Sequence, residues 1–140
     1  SQAHQVLNLQ NCSIEDLGSW VKQYSPNGRG FDVVIEAIGQ PAFWEQAVVM
    51  VRRGGVVNWF GGCASGTQVA LDTRRVHYDE LTFLSPFHHT PVQFRRAVQL
   101  LTQGIVNPMP LLTQTQPLAQ VVQALQAVAQ GQAVKVAIIP

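Results

Sequence analysis

The sequence has few cysteines, few charges and no long apolar run, and each shortage excludes a class of protein. Cys12 and Cys63 stand alone and far apart, so neither a disulfide framework nor a zinc knuckle is expected. Charged residues make up only 12% and the formal net charge is +1, which indicates neither nucleic acid nor an anionic membrane as a partner. The apolar runs fall far short of the ~20 residues of a membrane helix. A reducing, cytoplasmic setting is expected.

Apolar residues make up 46% of the 140 residues, which predicts one domain with a real core. Two apolar runs end in glycine: Val33–Ile35 before Gly39, and Val56–Phe60 before Gly61-Gly62. A helical pattern beginning at Pro41 joins them. This βαβ pattern is typical of an open parallel sheet, whose ligands bind outside the carboxyl ends of the strands. The sequence therefore predicts one half of a nucleotide-binding crevice.

The remaining elements are predicted from periodicity, caps and breakers. Strands are expected at 6–9, 32–38, 56–60, 80–85 and 134–139. Helices are expected from Ser13 to Pro26, from Pro41 to Gly54, from Thr90 to Gly104 and from Leu118 to Gly131. In the second of these, Arg52 and Arg53 would favour the C-terminal dipole. Residues 63–78 are expected to form a long loop, and residues 105–117 an extended connection.

Five segments, in this order and spacing, resemble the medium-chain, zinc-dependent alcohol dehydrogenases, with the sorbitol and threonine dehydrogenase branch nearest. The segments are Phe31–Gly39, Arg53–Gly62, His77–Thr82, Phe87–Pro91 and Ala133–Pro140. The resemblance implies an α/β fold, a partial Rossmann domain or doubly wound parallel sheet that lacks its first two strands and Gly-rich turn. Residues 1–140 would be this truncated NAD(P)-binding domain, with 132–140 the strand that returns to a missing catalytic domain. Zinc would be a cofactor of the parent enzyme, with its ligands in that missing domain.

Eight residues would contact NAD or NADP according to this resemblance. They are Ile38, Gly39, Phe60, Gly61, Gly62, Ser85, Phe87 and Lys135. The first two would lie beside the adenosine ribose and residues 60–62 on the nicotinamide side. Residues 85 and 87 would offer backbone groups to the carboxamide, and the lysine would lie near the pyrophosphate. The alternatives are plain turn glycines and a solvated lysine.

Other candidate groups give weaker hypotheses. His88 and His89 are adjacent on an extended segment, so their side chains point to opposite faces and cannot easily chelate one ion. Asp32 and Glu36 flank an apolar strand, and the resemblance gives that acid no catalytic role. Cys63 has no neighbouring histidine to activate it. No catalytic residue and no metal ligand is therefore assigned to this sequence.

The expected function is cofactor binding within an NAD(P)-dependent dehydrogenase that moves hydride between an alcohol or polyol and nicotinamide. The chain alone is expected to be inactive, and its affinity for the cofactor is expected to be weak or undetectable. A non-catalytic dimerisation module and a fragment of a zinc-free quinone or enoyl reductase are the alternatives. The expected partners are a small-molecule alcohol and a second copy of the chain, joined through the edge at 33–35 or at 81–87. The residues that select the substrate, and NAD over NADP, would lie upstream.

Overall fold

The computed structural model describes residues 3–8 and 13–140, which include two compact units divided between His88 and His89. The first unit contains α1 (Leu17–Tyr24), β1 (Phe31–Glu36), α2 (Pro41–Met50), β2 (Val51–Trp59), α3 (Thr73–Tyr78) and β3 (Thr82–Leu84). The second contains α4 (Pro91–Thr102), β4 (Leu112–Pro117), α5 (Val121–Ala129) and β5 (Lys135–Ile139). Both units alternate strands with helices, as expected of an α/β protein.

The first unit is built on a three-stranded parallel sheet in the order β1-β2-β3. Val34 of β1 lies opposite Val57 of β2, and both are buried with Ala47 of α2 and Val51. Each valine side chain that is fully removed from water stabilises the unit by about 1.5–3 kcal/mol. The predicted βαβ unit is therefore confirmed, and its core lies between the sheet and α2.

The helix α1 follows a short helical turn, Ile14–Asp16. Ser13 and Asp16 form a capping box, in which the Ser13 backbone N–H donates to the Asp16 carboxylate at 3.1 Å. Leu17 and Val21 are then buried at helical spacing. The predicted cap and apolar face are confirmed.

The prediction that α2 runs on to Gly54 is wrong, because the helix ends at Met50 and β2 begins at Val51. Val51 is almost fully buried and pairs with Phe31. Burial of this β-branched residue in a strand outweighs the interaction that Arg52 and Arg53 would make with the dipole of a longer helix. Arg52 instead hydrogen-bonds Asp32 on β1. The register then shifts between the first and later pairs of β1 and β2, across a stretch of β2 that contains Gly54 at φ +65°.

Three further expectations for the first unit need correction. Residues 6–8 form no strand, and Leu9 lies outside the described residues. The predicted loop at 63–78 ends in α3, because Asp72 caps a helix by accepting the Arg74 backbone N–H at 2.9 Å. The strand expected at 80–85 is limited to β3, since only three of its residues pair with β2.

The second unit begins with the predicted capping box, in which the Thr90 backbone N–H donates to Gln93 Oε1 at 2.7 Å. The extended connection expected at 105–117 contains a strand that was not predicted, because β4 lies within it and pairs in parallel with β5. The polar residues of β4 give no apolar pattern that would predict a strand, and it is recognised only by its pairing with β5. No helix among the described residues is long and apolar enough to cross a membrane.

Candidate functional site

Backbone hydrogen bonds connect the carboxyl ends of β1 and β2. Glu36 is the last residue of β1 and lies opposite Trp59, the last of β2. Its main-chain oxygen accepts hydrogen bonds from the N–H groups of Phe60 and Gly61, both at 2.9 Å. Parallel strands place their carboxyl ends at one edge of the sheet, so the two following turns meet there. This is the edge at which the sequence predicts a ligand.

The side chain of Glu36 organises the first of these turns. It is only 5% exposed. Its Oε1 accepts hydrogen bonds from the backbone N–H groups of Ile38 at 2.7 Å and Gly39 at 2.8 Å. From the sequence, Glu36 was a candidate only for acid–base chemistry, and its hydrogen bonds to the turn were not predicted. The available signal was a carboxylate just before a glycine turn, where side chains commonly cap their own backbone.

Gly39 and Gly61 must be glycine because the two turns touch. Gly39 has φ +79°, and a Cβ there would lie 2.5 Å from the Gly62 carbonyl oxygen. A Cβ on Gly61 would lie 2.8 Å from both Glu36 Oε2 and the Ile38 backbone nitrogen, and closer still to the Gly39 nitrogen. The packing of the chain alone therefore accounts for glycine at positions 39 and 61.

Gly62 differs from both of them. Apart from its chain neighbours, no atom of the described residues lies within 4 Å of the place a Cβ would occupy. Its φ is not in the left-handed region either. Ile38 and Phe60, in the same two turns, are 55% and 64% exposed. The edge thus offers an open stretch of backbone with exposed apolar side chains in both turns.

A stack of aromatic rings supports the second turn. The indole N–H of Trp44, on α2, donates to the Gly61 carbonyl at 2.8 Å, and the indole N–H of Trp59 donates to the Trp44 carbonyl at 3.2 Å. The two indole rings are parallel to within 5°, with centroids 4.7 Å apart, and the Phe83 ring of β3 also stacks on Trp59. The sequence analysis missed both tryptophans. Their signal was the indole N–H, which needs an acceptor when buried.

The other predicted site residues are more dispersed. Ser85 follows β3, and its hydroxyl lies 3.5 Å from the Trp59 carbonyl, so it lies near the end of β2. Phe87 is 86% exposed, and its ring contacts that of His88. Lys135 begins β5 in the second unit and is exposed. The structure therefore brings together residues 38–39, 60–62 and 85.

The two carboxylates of β1 lie at its opposite ends and do not form an acid–base pair. Glu36 lies four positions after Asp32 along the strand, a span of about 13 Å at the usual rise. Asp32 accepts a hydrogen bond from Arg52, which lowers the pKa of the Asp32 carboxyl, and the nearby charge of Arg29 acts in the same direction. Asp32 thus contributes to an exposed ion-pair cluster at the start of the strand.

Residues 3–8 and 13–140 place no group of three or more histidine, cysteine, aspartate or glutamate side chains where it could hold a metal ion. His88 has φ +60° and its ring lies against Phe87, while the His89 ring stacks on Phe94. No zinc ligand is assigned to these residues.

A parallel α/β sheet with glycine turns at the carboxyl ends of its strands is typical of a Rossmann-type fold. The family model described as zinc-binding dehydrogenase matches residues 2–103. The chain therefore belongs to the zinc-binding dehydrogenase family, as its sequence motifs predict.

Similar proteins agree with this assignment. The chain is 28% identical to D-arabinitol dehydrogenase 1 of Uromyces fabae over 121 residues, which cover 86% of this chain and 34% of that protein. It is 28% identical to sorbitol dehydrogenase of Bacillus subtilis over 116 residues, covering 81% and 32%. The chain thus spans about a third of the length of these curated relatives.

Solved structures confirm the fold class. An alcohol dehydrogenase from Thermotoga maritima superposes with a TM-score of 0.87 at 23% identity, covering 99% of this chain and 38% of that one. A protein from Sinorhizobium meliloti, described as a zinc-binding dehydrogenase bound to NADP, superposes with a TM-score of 0.77 at 27% identity, covering 90% and 38%.

Proposed function

We propose that this chain holds the nicotinamide cofactor in a zinc-dependent NAD(P) oxidoreductase that transfers hydride between an alcohol or polyol and nicotinamide. Family membership and the polyol dehydrogenases among its relatives support the reaction class. In such a reaction the cofactor carries the hydride and zinc polarises the alcohol. The part of this chain is to bind and orient the cofactor.

The proposal treats residues 1–140 as one NAD(P)-binding domain, whose segment 132–140 leads back to a catalytic domain. It places the reaction in the cytoplasm, in keeping with the free thiol of Cys63.

The open backbone at Gly62 carries the proposal. Neither the φ angle of Gly62 nor the described atoms around it require glycine at this position. At Gly39 and Gly61, by contrast, close packing requires glycine. A missing side chain that the fold does not need leaves room for a ligand to approach the backbone. Residues 60–62 would line the nicotinamide side, and Ile38 would lie toward the adenosine ribose. The backbones of 85 and 87 would face the carboxamide, with Lys135 near the pyrophosphate.

The described residues fit the nicotinamide side of a dinucleotide better than its pyrophosphate. Phosphates are commonly held by the free N–H groups at a helix N-terminus, directly after a glycine-rich turn. After β2, residues 63–72 contain no helix, and α3 begins only at Thr73. After β1, α2 begins directly behind the Gly39 turn, but Pro41 has no N–H, and the amides of Phe43 and Trp44 donate to the Gln40 carbonyl. The chain by itself is therefore proposed to bind NAD(P) weakly, through the strand ends alone.

An amide NMR titration tests the proposal. We expect millimolar NAD⁺ or NADP⁺ to shift the signals of residues 38–39, 60–62 and 85 in the ¹⁵N-labelled chain. Gly62→Ala should weaken these shifts several-fold, because its methyl group would occupy the open approach. Gly18→Ala is the matched control, since among the described residues a Cβ there meets only Val49, at 4.0 Å. Shifts confined to other residues, or an unaffected Gly62→Ala variant, would contradict the proposal.

We also propose that copies of the chain associate through an outer strand of the sheet. Among the described residues β1 and β3 each pair with β2 only, and Val33 and Ile35 of β1 are 55% and 63% exposed. Unpaired strand edges bearing apolar residues promote pairing with another chain. Light scattering should give the mass of a dimer or larger assembly, and the substitution Ile35→Lys should reduce that mass. A monomeric mass at high protein concentration would refute this association.

A further inference from the structure

Glu36 is an unusual residue to find in the interior of this unit. Carboxylates are seldom buried without a cation, yet none of the ion pairs among the described residues includes Glu36. Among the described residues, the side-chain hydrogen bonds of this buried carboxylate go only to two neighbouring backbone amides, those of Ile38 and Gly39. This arrangement requires an explanation beyond the stability of the strand.

Glu36 contacts both turns of the candidate site with different atoms. Oε1 holds the amides of Ile38 and Gly39, while the main-chain oxygen holds those of Phe60 and Gly61. Oε2 faces Gly61 and lies 2.8 Å from the place that a Cβ on Gly61 would occupy. The residue therefore sets the distance between the turn after β1 and the turn after β2.

We propose that Glu36 is a positioning residue, which fixes the Ile38–Gly39 turn against Gly61 and so places the Gly62 backbone for the cofactor. This inference rests on the proposed function. The two kinds of contact can be separated experimentally, because the backbone oxygen of residue 36 survives any substitution. Changing the side chain releases the first turn and leaves the amides of Phe60 and Gly61 bonded.

The second carboxylate oxygen predicts how the isosteric variant behaves. Oε2 is buried and accepts no hydrogen bond from the described residues. In Glu36→Gln the amide oxygen can take the Oε1 position and keep both N–H donors. The amide NH₂ then occupies the Oε2 position beside Gly61, buried and without an acceptor. We therefore expect an intermediate effect, between the wild type and Glu36→Ala.

Hydrogen exchange of four backbone amides and NAD⁺ titration together test the inference. In Glu36→Ala the amides of Ile38 and Gly39 should exchange at least about tenfold faster, the change expected for losing one hydrogen bond to a charged group. Those of Phe60 and Gly61 should keep their protection. The NAD⁺-induced shift at Gly62 should fall in parallel, with Glu36→Gln restoring part of both effects.

The control is Asp32→Asn, which changes an exposed carboxylate on the same strand. It should leave NAD⁺ binding unchanged and should not alter the exchange of the Ile38 and Gly39 amides relative to those of Phe60 and Gly61. Equal loss of protection at all four amides in both Glu36 variants would mean a structural role only and would overturn the inference. Unchanged NAD⁺ binding in Glu36→Ala, with the wild type binding normally, would overturn it as well. If the wild type binds no dinucleotide, the proposed function itself fails, so the two failures are distinct.

Discussion

Replacing Gly61 by alanine should destabilise the first unit much more than replacing the adjacent Gly62. The added methyl group at position 61 would lie 2.8 Å from Glu36 Oε2 and from the Ile38 nitrogen, and closer to the Gly39 nitrogen. Two of these three atoms belong to backbone, which cannot rotate away. The turn after β1 or the end of β2 must therefore move.

The expected cost follows from these contacts. Overpacking by one methyl group usually costs about 1–3 kcal/mol. Moving the turn also weakens hydrogen bonds to the Glu36 carboxylate, each worth about 1.5–3 kcal/mol because the acceptor is charged. Since the turn can relax to keep part of these bonds, we expect a loss of about 2–4 kcal/mol in the free energy of unfolding. In Gly62→Ala the added methyl group meets no atom of the described residues beyond its chain neighbours, so its effect should stay within about 0.5 kcal/mol.

Urea unfolding followed by tryptophan fluorescence measures this difference. All three tryptophans, Trp20, Trp44 and Trp59, belong to the first unit, so the signal reports the unit that contains the substitution. The midpoint should fall for Gly61→Ala with little change in the slope of the transition. Equal midpoints for the two alanine variants would refute the close approach of the two turns.

Three other substitutions test separate parts of the structure. Trp44→Phe keeps an aromatic ring in the stack but leaves the Gly61 carbonyl without its indole donor, so the urea midpoint should fall by the equivalent of about 1 kcal/mol. Arg52 lowers the pKa of Asp32 on folding, so the ionised carboxylate stabilises the fold above its ordinary pKa of 3.8. That contribution is lost as the pH falls through the lower pKa of the folded state, so the difference in urea midpoint between wild type and Asp32→Asn should vanish in acid; a constant difference would contradict it. Thr90→Ala removes a helix cap and should cost the start of α4 about 1 kcal/mol, seen as faster amide exchange in its first turn.

The sequence by itself determined the features that depend on neighbours along the chain. The Ser13 and Thr90 caps, the spacing of Leu17 and Val21, and the glycines after two apolar runs are local signals, and the structure places each as expected. Together with the order of the motifs, they were sufficient for the α/β class and the family. A cap or a helical face requires only residues three or four positions apart, so its physics is present in the sequence.

Tertiary structure alone decided where β2 begins and how the site is built. Val51 is in a strand and not in the helix because it is buried there and pairs with Phe31, which lies twenty residues earlier in the chain. Trp44 and Gly61 meet across seventeen residues, and Glu36 acquires its role only when the turn after β2 packs against it. Such contacts depend on the register of paired strands, which local periodicity does not encode. The sequence could therefore indicate the strand ends at which we propose that a cofactor binds, but not the carboxylate of Glu36 and the indole of Trp44 that hold the two turns there in position.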